Sequence, residues 1–387
     1  MKTVCNYPIG VPGAPWTASE KRQWLCSRRK HLDREYDLDV TRYFPKEEGF
    51  HAVSYGVLTA PIFCAEKRGM VNRDYLLFAI VPDTFYPPGG SINGSSVVRH
   101  FPPIRHPTNI ERQESINKPT ILITGGVHGY EISGIKGAQQ FLSSGLAKIY
   151  SKHYNIVIVP CVSPWGYEMN ERWTAKAIDP NRSFGVKTPD NPTPIRTDES
   201  TALLNFLDTL GVTTDDGVLH QPTWLCHLDL HETTNSDVTE FRPAKAARDG
   251  SVEYDDHIPD GFYLFGHSHQ DDARISNGGE ASNNDHLAFY NTILKRVEKV
   301  THIAESESDG TLCGYAATSH GLLLLPCAEL GICAGGAVPQ APYAVTTEVY
   351  PDSDRTTEEI CVKAQVESIC AALDFLLTVG KADNSIS

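Results

Sequence analysis

From residue 119 onward, strand-like and helix-like patterns of apolar positions follow each other along this chain. Four short apolar runs predict buried strands, at 121–123, 154–160, 223–230 and 321–330. Four stretches with helical spacing predict helices, at 132–147, 199–210, 283–300 and 357–377. Such alternation predicts an α/β fold, with a mixed, mostly parallel central sheet and helices on both of its faces.

The first 115 residues show a different pattern, which predicts an N-terminal α+β extension. Thr17-Ala-Ser-Glu20 is a capping box and predicts a helix that runs to about Asp33. Two β-rich runs follow, at 51–64 and 75–81, and then a segment rich in Pro, Gly, Ser and Asn, at 82–118. We therefore expect an accessory region over 1–115 and a main domain over 116–387.

The main domain opens with a strand, a glycine turn and a helix, and the turn carries His128 and Glu131. Ligands bind at the edge where the strands of an open α/β sheet end. An imidazole and a carboxylate three positions apart can reach one cation, and this donor set suits Zn²⁺. The chain has the same spacing at His302 and Glu305, but that pair follows a charged helical pattern and we interpret it as a solvated helix end.

The third predicted strand ends in His227-Leu-Asp229-Leu-His231, whose polar residues share one face because side chains alternate along a strand. His231 lies at the carboxyl end, where it could join His128 and Glu131 as a third ligand. Three protein ligands and one open position are typical of catalytic zinc. Asp229 would then orient an imidazole. The alternative is that both histidines are satisfied by hydrogen bonds in the core.

Two further stretches suit the chemistry of such a site. Asp179-Pro-Asn181-Arg182 places a guanidinium beside an amide, which predicts a clamp for a carboxylate; the alternative is a surface turn closed by an Asp–Arg pair. Glu329 follows the fourth apolar run, where a carboxylate must find a partner or shift its pKa upward, as a general base requires. Tyr315 is a candidate phenol donor.

Composition narrows the choice of partner. The formal net charge of −14 argues against nucleic acid and anionic membranes, so an anionic substrate needs a local basic group. No apolar run reaches the ~20 residues of a membrane span, and the first residues are too polar for a secretory signal. The ten cysteines form no Cys-x-x-Cys pair, which favours free thiols and a cytoplasmic location over disulfides.

Taken in order, these motifs resemble the carboxypeptidase A type of zinc peptidases. The motifs span 119–335 and comprise His128-x-x-Glu131, Pro164-x-Gly166-Tyr167, Trp173, Asp179-Pro-Asn181-Arg182, Asp229-x-His231 and Glu329. The close spacing of the first and fourth motifs, and the Glu-Leu-Gly at 329–331, are also similar to the succinylglutamate desuccinylase and aspartoacylase branch.

The resemblance implies a role for each matching residue. His128, Glu131 and His231 would hold one zinc ion, and Asn181 with Arg182 would bind the terminal carboxylate of the substrate. Glu329 would be the general base and Tyr315 would contact the substrate. The family's carbonyl-polarising arginine directly follows the Trp, where this chain has Thr174, so Arg172 or Lys176 would have to replace it.

These implications predict a zinc metallocarboxypeptidase that acts on small peptides with a free carboxylate. The alternative within the same class is an N-acyl amino acid amidohydrolase. A second alternative is a ligand binder that holds zinc without turnover, for which Thr174 is the supporting feature. The sequence contains none of the motifs that indicate dinucleotide-binding proteins, serine hydrolases or P-loop phosphate binders, which are Gly-x-Gly-x-x-Gly, Gly-x-Ser-x-Gly and Gly-Lys-Ser/Thr. The sequence predicts no oligomeric state.

Overall fold

The fold is taken from a computed structural model that describes residues 2–42, 45, 48–64, 66–85, 100–101, 105–187, 193–267, 283–336 and 341–383. Its strands are β1 (Lys2–Val4), β2 (Phe50–Cys64), β3 (Gly69–Pro82), β4 (His100–Phe101), β5 (Thr120–Gly125), β6 (Asn155–Val159), β7 (Val212–Thr213), β8 (Leu219–His220), β9 (Trp224–Glu232), β10 (Glu253–Asp255), β11 (Tyr263–His267), β12 (Thr311–Leu312), β13 (Tyr315–Ala316), β14 (Leu322–Leu325) and β15 (Tyr343–Val349). Its α-helices are α1 (Ala18–Ser27), α2 (Tyr36–Thr41), α3 (Asn109–Asn117), α4 (Ile132–Ser143), α5 (Leu146–Tyr150), α6 (Pro164–Met169), α7 (Asp198–Thr209), α8 (Arg242–Asp249), α9 (Asn283–Val297), α10 (Cys327–Leu330) and α11 (Glu358–Asp383).

A nine-stranded mixed sheet forms the centre of the molecule, in the order β14-β11-β15-β9-β5-β6-β3-β2-β4. The four central strands, β15, β9, β5 and β6, run parallel to one another. Strands β3, β2 and β4 extend one side by antiparallel pairing, and β11 pairs antiparallel with β15 on the other side. The carboxyl ends of the parallel strands therefore meet at one edge of the sheet.

Helices cover both faces of this sheet. They must do so because successive side chains of the central strands point to opposite faces and are apolar on both. Ile121 and Ile123 of β5 belong to a core cluster that includes residues of α4, α9 and α11. Leu122, between them, points to the opposite face and packs in a cluster with Leu203 and Leu207 of α7. The predicted α/β class, with a mixed sheet between two helical layers, is confirmed.

The accessory region predicted over 1–115 contributes strands to this same sheet. The β-rich runs become β2 and β3, which pair along almost their whole length, and β3 joins β6 at Ile80 and Ile158. The capping box at Thr17 and Glu20 is formed and starts α1. Residues 86–99 and 102–104 of the predicted linker lie outside the described residues.

The strand predicted at 321–330 ends earlier than its apolar run. Strand β14 stops at Leu325 because Pro326 cannot donate a ladder hydrogen bond, and the short helix α10 begins directly after it. Glu329 consequently lies on this helix with an exposed side chain. The expectation that Glu329 ends a buried strand is wrong.

Two further features bear on the sequence expectations. All ten cysteines are free thiols in the structure. Among the described residues, none of the helices combines the length and the apolar composition that a membrane span requires.

Candidate metal centre and its cleft

The candidate ligands lie where two neighbouring parallel strands, β5 and β9, end. His128 and Glu131 lie in the turn between β5 and α4, and His231 lies near the end of β9, which pairs with β5. Gly134 in the first turn of α4 permits close packing, since a Cβ at this position would lie 2.2 Å from the carbonyl oxygen of Leu230. The glycine thus lets α4 bring Glu131 next to His231.

The three side chains form one compact, buried group. The Glu131 carboxylate lies between the imidazoles, with Oε1 2.7 Å from His128 Nδ1 and Oε2 2.7 Å from His231 Nδ1. The possible ligand atoms of all three residues lie within 4.8 Å of one another. None of the three side chains is more than about 2% exposed. The geometry thus brings the three predicted ligands to one point.

Two further carboxylates fix the orientation of the imidazoles. Asp179 Oδ1 lies 2.9 Å from His128 Nε2, and Asp229 Oδ2 lies 2.8 Å from His231 Nε2. Each imidazole then directs Nδ1 toward Glu131. Metal-binding histidines in proteins almost always donate their second nitrogen to such a partner. Asp229 takes the place expected from the sequence, whereas Asp179 was expected only as part of the Asp-Pro-Asn-Arg turn, with an Asp–Arg pair as its alternative role.

The donor set fits a divalent metal ion of the zinc type. Among the described residues, no hydrogen bond engages His231 Nδ1, which is fully buried, although Glu131 Oε2 lies 2.7 Å from it. Burial opposes the charged forms here, yet the two imidazoles hold the pKa of Glu131 far below its usual range. Burial likewise opposes a charge on His231, but Asp229 and Glu131 raise the pKa of its imidazole. The His128, Glu131 and His231 side chains therefore form a site suited to binding a cation, and two imidazoles with one carboxylate suit zinc.

His227, the alternative histidine of the same strand, faces another group. Its Nε2 lies 2.9 Å from the hydroxyl of Thr124, which also donates to Asp229 at 2.6 Å. Burial lowers the pKa of His227 to about 4, so the imidazole is neutral. The sequence left open that both histidines are satisfied by hydrogen bonds in the core. His227 fits that alternative, whereas His231 lies with the candidate ligands.

A cleft of about 230 Å³ opens beside His128. Its lining includes the four candidate catalytic or substrate-binding residues Arg172, Asn181, Arg182 and Tyr315. Glu329 does not line it and faces solvent on α10. The structure thus places Glu329 outside the cleft in which a general base would have to act.

Of the two candidates for the carbonyl-polarising role, Arg172 lies at the cleft. Its guanidinium lies 3.2 Å from Asp179 and 3.3 Å from Asp237, and it lines the cleft. Lys176, the other candidate, is exposed and pairs with Asp198 at 2.7 Å. Of the two, Arg172 is therefore the residue that reaches the cleft.

Asn181 and Arg182 differ in burial and contacts. Asn181 is buried, and its Oδ1 accepts a hydrogen bond of 2.7 Å from the backbone N–H of Cys333. Arg182 is exposed at the mouth of the cleft, where Nη1 donates to the carbonyl oxygen of Asn181. The alternative for this stretch was a surface turn closed by an Asp–Arg pair. In the structure Asp179 is buried and pairs with Arg172, which lies outside the turn.

Glu348 is a cleft residue that the sequence motifs did not indicate. It lies near the end of β15 and pairs in register with His231 of β9. Its side chain lines the cleft, and Oε2 accepts a hydrogen bond of 3.1 Å from Thr233. Burial, followed by the nearby charge of Glu131, raises the pKa of Glu348 to about 8. The available signal was the Thr346-Thr-Glu348-Val stretch, one acid in an otherwise uncharged strand before the last helix.

Comparison with known proteins agrees with the resemblance seen in the motifs. Residues 117–251 match the family described as Succinylglutamate desuccinylase/Aspartoacylase catalytic domain. The matched segment contains all three candidate metal ligands, so the resemblance to this branch of the carboxypeptidase-like metallopeptidases is confirmed there. No curated protein matches the chain.

Two solved structures illustrate the overall likeness. A metallo-carboxypeptidase from Burkholderia cenocepacia is 12% identical, covers 94% of this chain and 70% of its own, and gives a TM-score of 0.48. A metallo-carboxypeptidase from Pseudomonas aeruginosa, in complex with (2-guanidinoethylmercapto)succinic acid, is also 12% identical, with 94% and 69% covered and a TM-score of 0.43.

Proposed function

We propose, on the premise that residues 117–251 match the desuccinylase/aspartoacylase catalytic domain, that this chain is a zinc-dependent hydrolase. Its substrate would carry an amide bond next to a free carboxylate. One observation carries the proposal: two imidazoles oriented by carboxylates share Glu131 at the edge of a cleft. The Glu348 carboxylate and the guanidinium groups of Arg172 and Arg182 also line this cleft.

The metal would supply one part of the chemistry. One zinc ion held by His128, Glu131 and His231 would act as a Lewis acid, which acidifies water and polarises a carbonyl group. Asp179 and Asp229 keep the Nδ1 atoms of the two imidazoles directed at that position.

Glu348 replaces Glu329 as the proposed general base. Its carboxylate lies next to His231 across the strand pair and faces the cleft, as proton transfer at the reacting centre requires. It would accept a proton from the attacking water and later transfer that proton to the leaving nitrogen. The product amine and carboxylic acid then account for all atoms of the water and the amide.

Charged and polar groups on one wall of the cleft would hold the substrate. Arg182, exposed at the mouth, would bind the free carboxylate in a bidentate manner, with the Asn181 amide beside it. Arg172 would stabilise the developing negative charge on the carbonyl oxygen, a contribution of typically ~3 kcal/mol for one such donor. Tyr315, which is about half exposed and lines the cleft, would contact the remainder of the substrate.

Two glutamate variants test the assignment of the base. Glu348→Gln keeps the shape of the side chain but cannot accept the proton, so kcat should fall by about 10²- to 10⁴-fold with zinc content unchanged. Glu329→Gln is the matched control and should retain the wild-type rate. A large loss in Glu329→Gln, or a fully active Glu348→Gln, would reverse this assignment.

Among substrates, we favour an N-acyl amino acid over a peptide. The family match supports a deacylase, and a cleft of about 230 Å³ is smaller than most drug-sized pockets and suits a small molecule. The carboxypeptidase predicted from the sequence remains the second candidate, supported by Pro164-x-Gly166-Tyr167. A panel of N-acetyl and N-succinyl amino acids beside C-terminally varied dipeptides separates the two, and cleavage of the dipeptides alone would favour the peptidase.

Chelation distinguishes this enzyme from a non-catalytic binder. Removal of the metal should abolish turnover, and stoichiometric zinc should restore it. A binder would take up zinc and ligand without producing amine. We place the activity in the cytoplasm, for which the ten free thiols are the supporting observation.

A further inference from the structure

Glu348 lies between two residues of neighbouring strands. Along the sheet, its Cα pairs with His231 of β9 on one side and with Tyr263 of β11 on the other. Thr233 follows His231 by two residues and is held to the end of β15 by its backbone N–H, which donates to the carbonyl oxygen of Val349 at 2.8 Å. Three strands therefore fix the surroundings of this one carboxylate.

Side-chain hydrogen bonds join Tyr263, Thr233 and Glu348 in a row. The hydroxyls of Tyr263 and Thr233 are 2.7 Å apart, and Thr233 Oγ1 donates to Glu348 Oε2 at 3.1 Å. Both hydroxyl-bearing residues are buried, with Thr233 6% and Tyr263 2% exposed. The bonds therefore lie in surroundings where unmade hydrogen bonds are costly.

The direction of these bonds follows from the available protons. In the ionised form that a general base requires, the Glu348 carboxylate only accepts hydrogen bonds, so the single proton of Thr233 is then committed to Oε2. The lone pairs of Thr233 Oγ1 are then free to accept, and Tyr263 must be the donor. Burial, with Cys313 and Glu348 as further causes, holds the pKa of Tyr263 far above its usual value, so this phenol keeps its proton.

We propose that Thr233 and Tyr263 are positioning residues that hold the Glu348 carboxylate toward the reacting centre. This inference rests on the proposed role of Glu348 as the base. Oε2 is engaged by the hydroxyl row, while among the described residues no hydrogen bond engages Oε1, which is the oxygen left to exchange protons with the substrate side. Without the row, the carboxylate is free to rotate away from its working orientation.

The central test removes or keeps the hydroxyl at position 233. Thr233→Val has the same shape without a hydroxyl and should lower kcat by about 10- to 100-fold, the loss expected for one hydrogen bond to a charged group. KM and zinc stoichiometry should not change, because valine keeps the volume of the Thr233 side chain in the cleft wall and the ligands are not altered. Thr233→Ser keeps the hydroxyl and should restore kcat to within about threefold of the wild type.

Two further variants separate positioning from general damage. Thr234→Val changes the neighbouring threonine, whose hydroxyl accepts from the N–H of Ser236 at 3.2 Å, and should leave kcat unchanged. Tyr263→Phe removes only the outer bond and should lower kcat less than Thr233→Val does. Crystal structures of the zinc-loaded Thr233→Val and Thr233→Ser proteins supply a readout other than activity, with the Glu348 side chain displaced only in the valine variant.

A double variant distinguishes failure of this inference from failure of the proposed function. Adding Thr233→Val to Glu348→Gln should cause no further loss of rate, because both changes act on one group. If Glu348→Gln is inactive while Thr233→Val matches Thr233→Ser and the wild type, the positioning role is refuted and the base remains. If Glu348→Gln retains full activity, the proposed function and this inference both fall.

Discussion

Asp179 Oδ1 lies 2.9 Å from His128 Nε2, while Oδ2 of the same carboxylate lies 3.2 Å from Arg172 Nε. One side chain thus orients a candidate metal ligand and a cleft guanidinium together. Asp179 is itself held in place, because Oδ1 also accepts a hydrogen bond of 2.9 Å from the backbone N–H of Asn181. The Asp-Pro-Asn-Arg turn is therefore coupled to the candidate metal centre.

Asp179→Asn should weaken zinc binding by about 10- to 100-fold, the usual effect of losing a carboxylate partner of a ligand histidine. Titration against a chelator of known affinity measures this change. Asp198→Asn is the control, because that exposed carboxylate pairs only with Lys176 among the described residues and is remote from the ligands. Unchanged zinc affinity in Asp179→Asn would show that His128 is oriented by other means or does not bind the metal.

Arg182→Ala should act through the free carboxylate of the substrate. We expect kcat/KM to fall by about 10²-fold or more on the acid, since a bidentate charge-assisted contact is lost. The amidated form of the same substrate is the internal control and should lose little. Equal losses on both forms would rule out the carboxylate clamp.

Glu232 caps the helix that carries the metal-binding turn. Its two oxygens accept hydrogen bonds from the backbone N–H groups of Ile132 (3.0 Å) and Ser133 (2.6 Å), at the first turn of α4. Glu232→Ala leaves both donors unpaired and should lower the free energy of unfolding by about 1–3 kcal/mol, measured by urea denaturation. Glu358→Ala, at the exposed start of α11, is the matched control and should cost less than about 1 kcal/mol.

Glu199 should make stability depend on pH. Burial raises the pKa of its carboxyl from 4.5 to about 7 in the folded chain. The folded state therefore binds the proton more tightly than the unfolded state. The resulting stabilisation is complete below about pH 4.5 and is lost as the pH rises through about 7.

Glu199→Gln removes this titration while keeping the volume of the side chain. Between pH 4.5 and 8, the free energy of unfolding of the wild type should fall by roughly 3 kcal/mol relative to that of the variant. This is the free energy that corresponds to the pKa shift of Glu199. Denaturant titrations at several pH values measure the difference. Parallel pH profiles for the wild type and Glu199→Gln would contradict the prediction. Asp198→Asn, a change at the exposed neighbour that retains Glu199, should give a profile parallel to that of the wild type.

Local patterns were sufficient for the elements and for the candidate ligands. The apolar run at 121–123, the glycines after it and the helical spacing from Ile132 placed His128 and Glu131 between β5 and α4. Alternation along 223–230 likewise placed His231 near the end of β9. These inferences held because strand and helix periodicity, turns and parallel pairing depend on residues close in sequence.

The choice of the acid beside the ligands depended on the tertiary structure. Glu329 looked suitable because it follows an apolar run, but Pro326 ends β14 and α10 exposes the carboxylate. Glu348 reaches the cleft because β15 inserts between β9 and β11 and brings it into register with His231 and Tyr263.

By itself, then, the sequence determined the fold class and the three side chains that converge on one point, since short-range periodicity and turn chemistry decide both. Only the tertiary structure decided which glutamate joins them and which hydroxyls hold it. The reason is that pairing between strands distant along the chain is set by the packing of the whole sheet, and no local pattern in one sequence encodes that pairing.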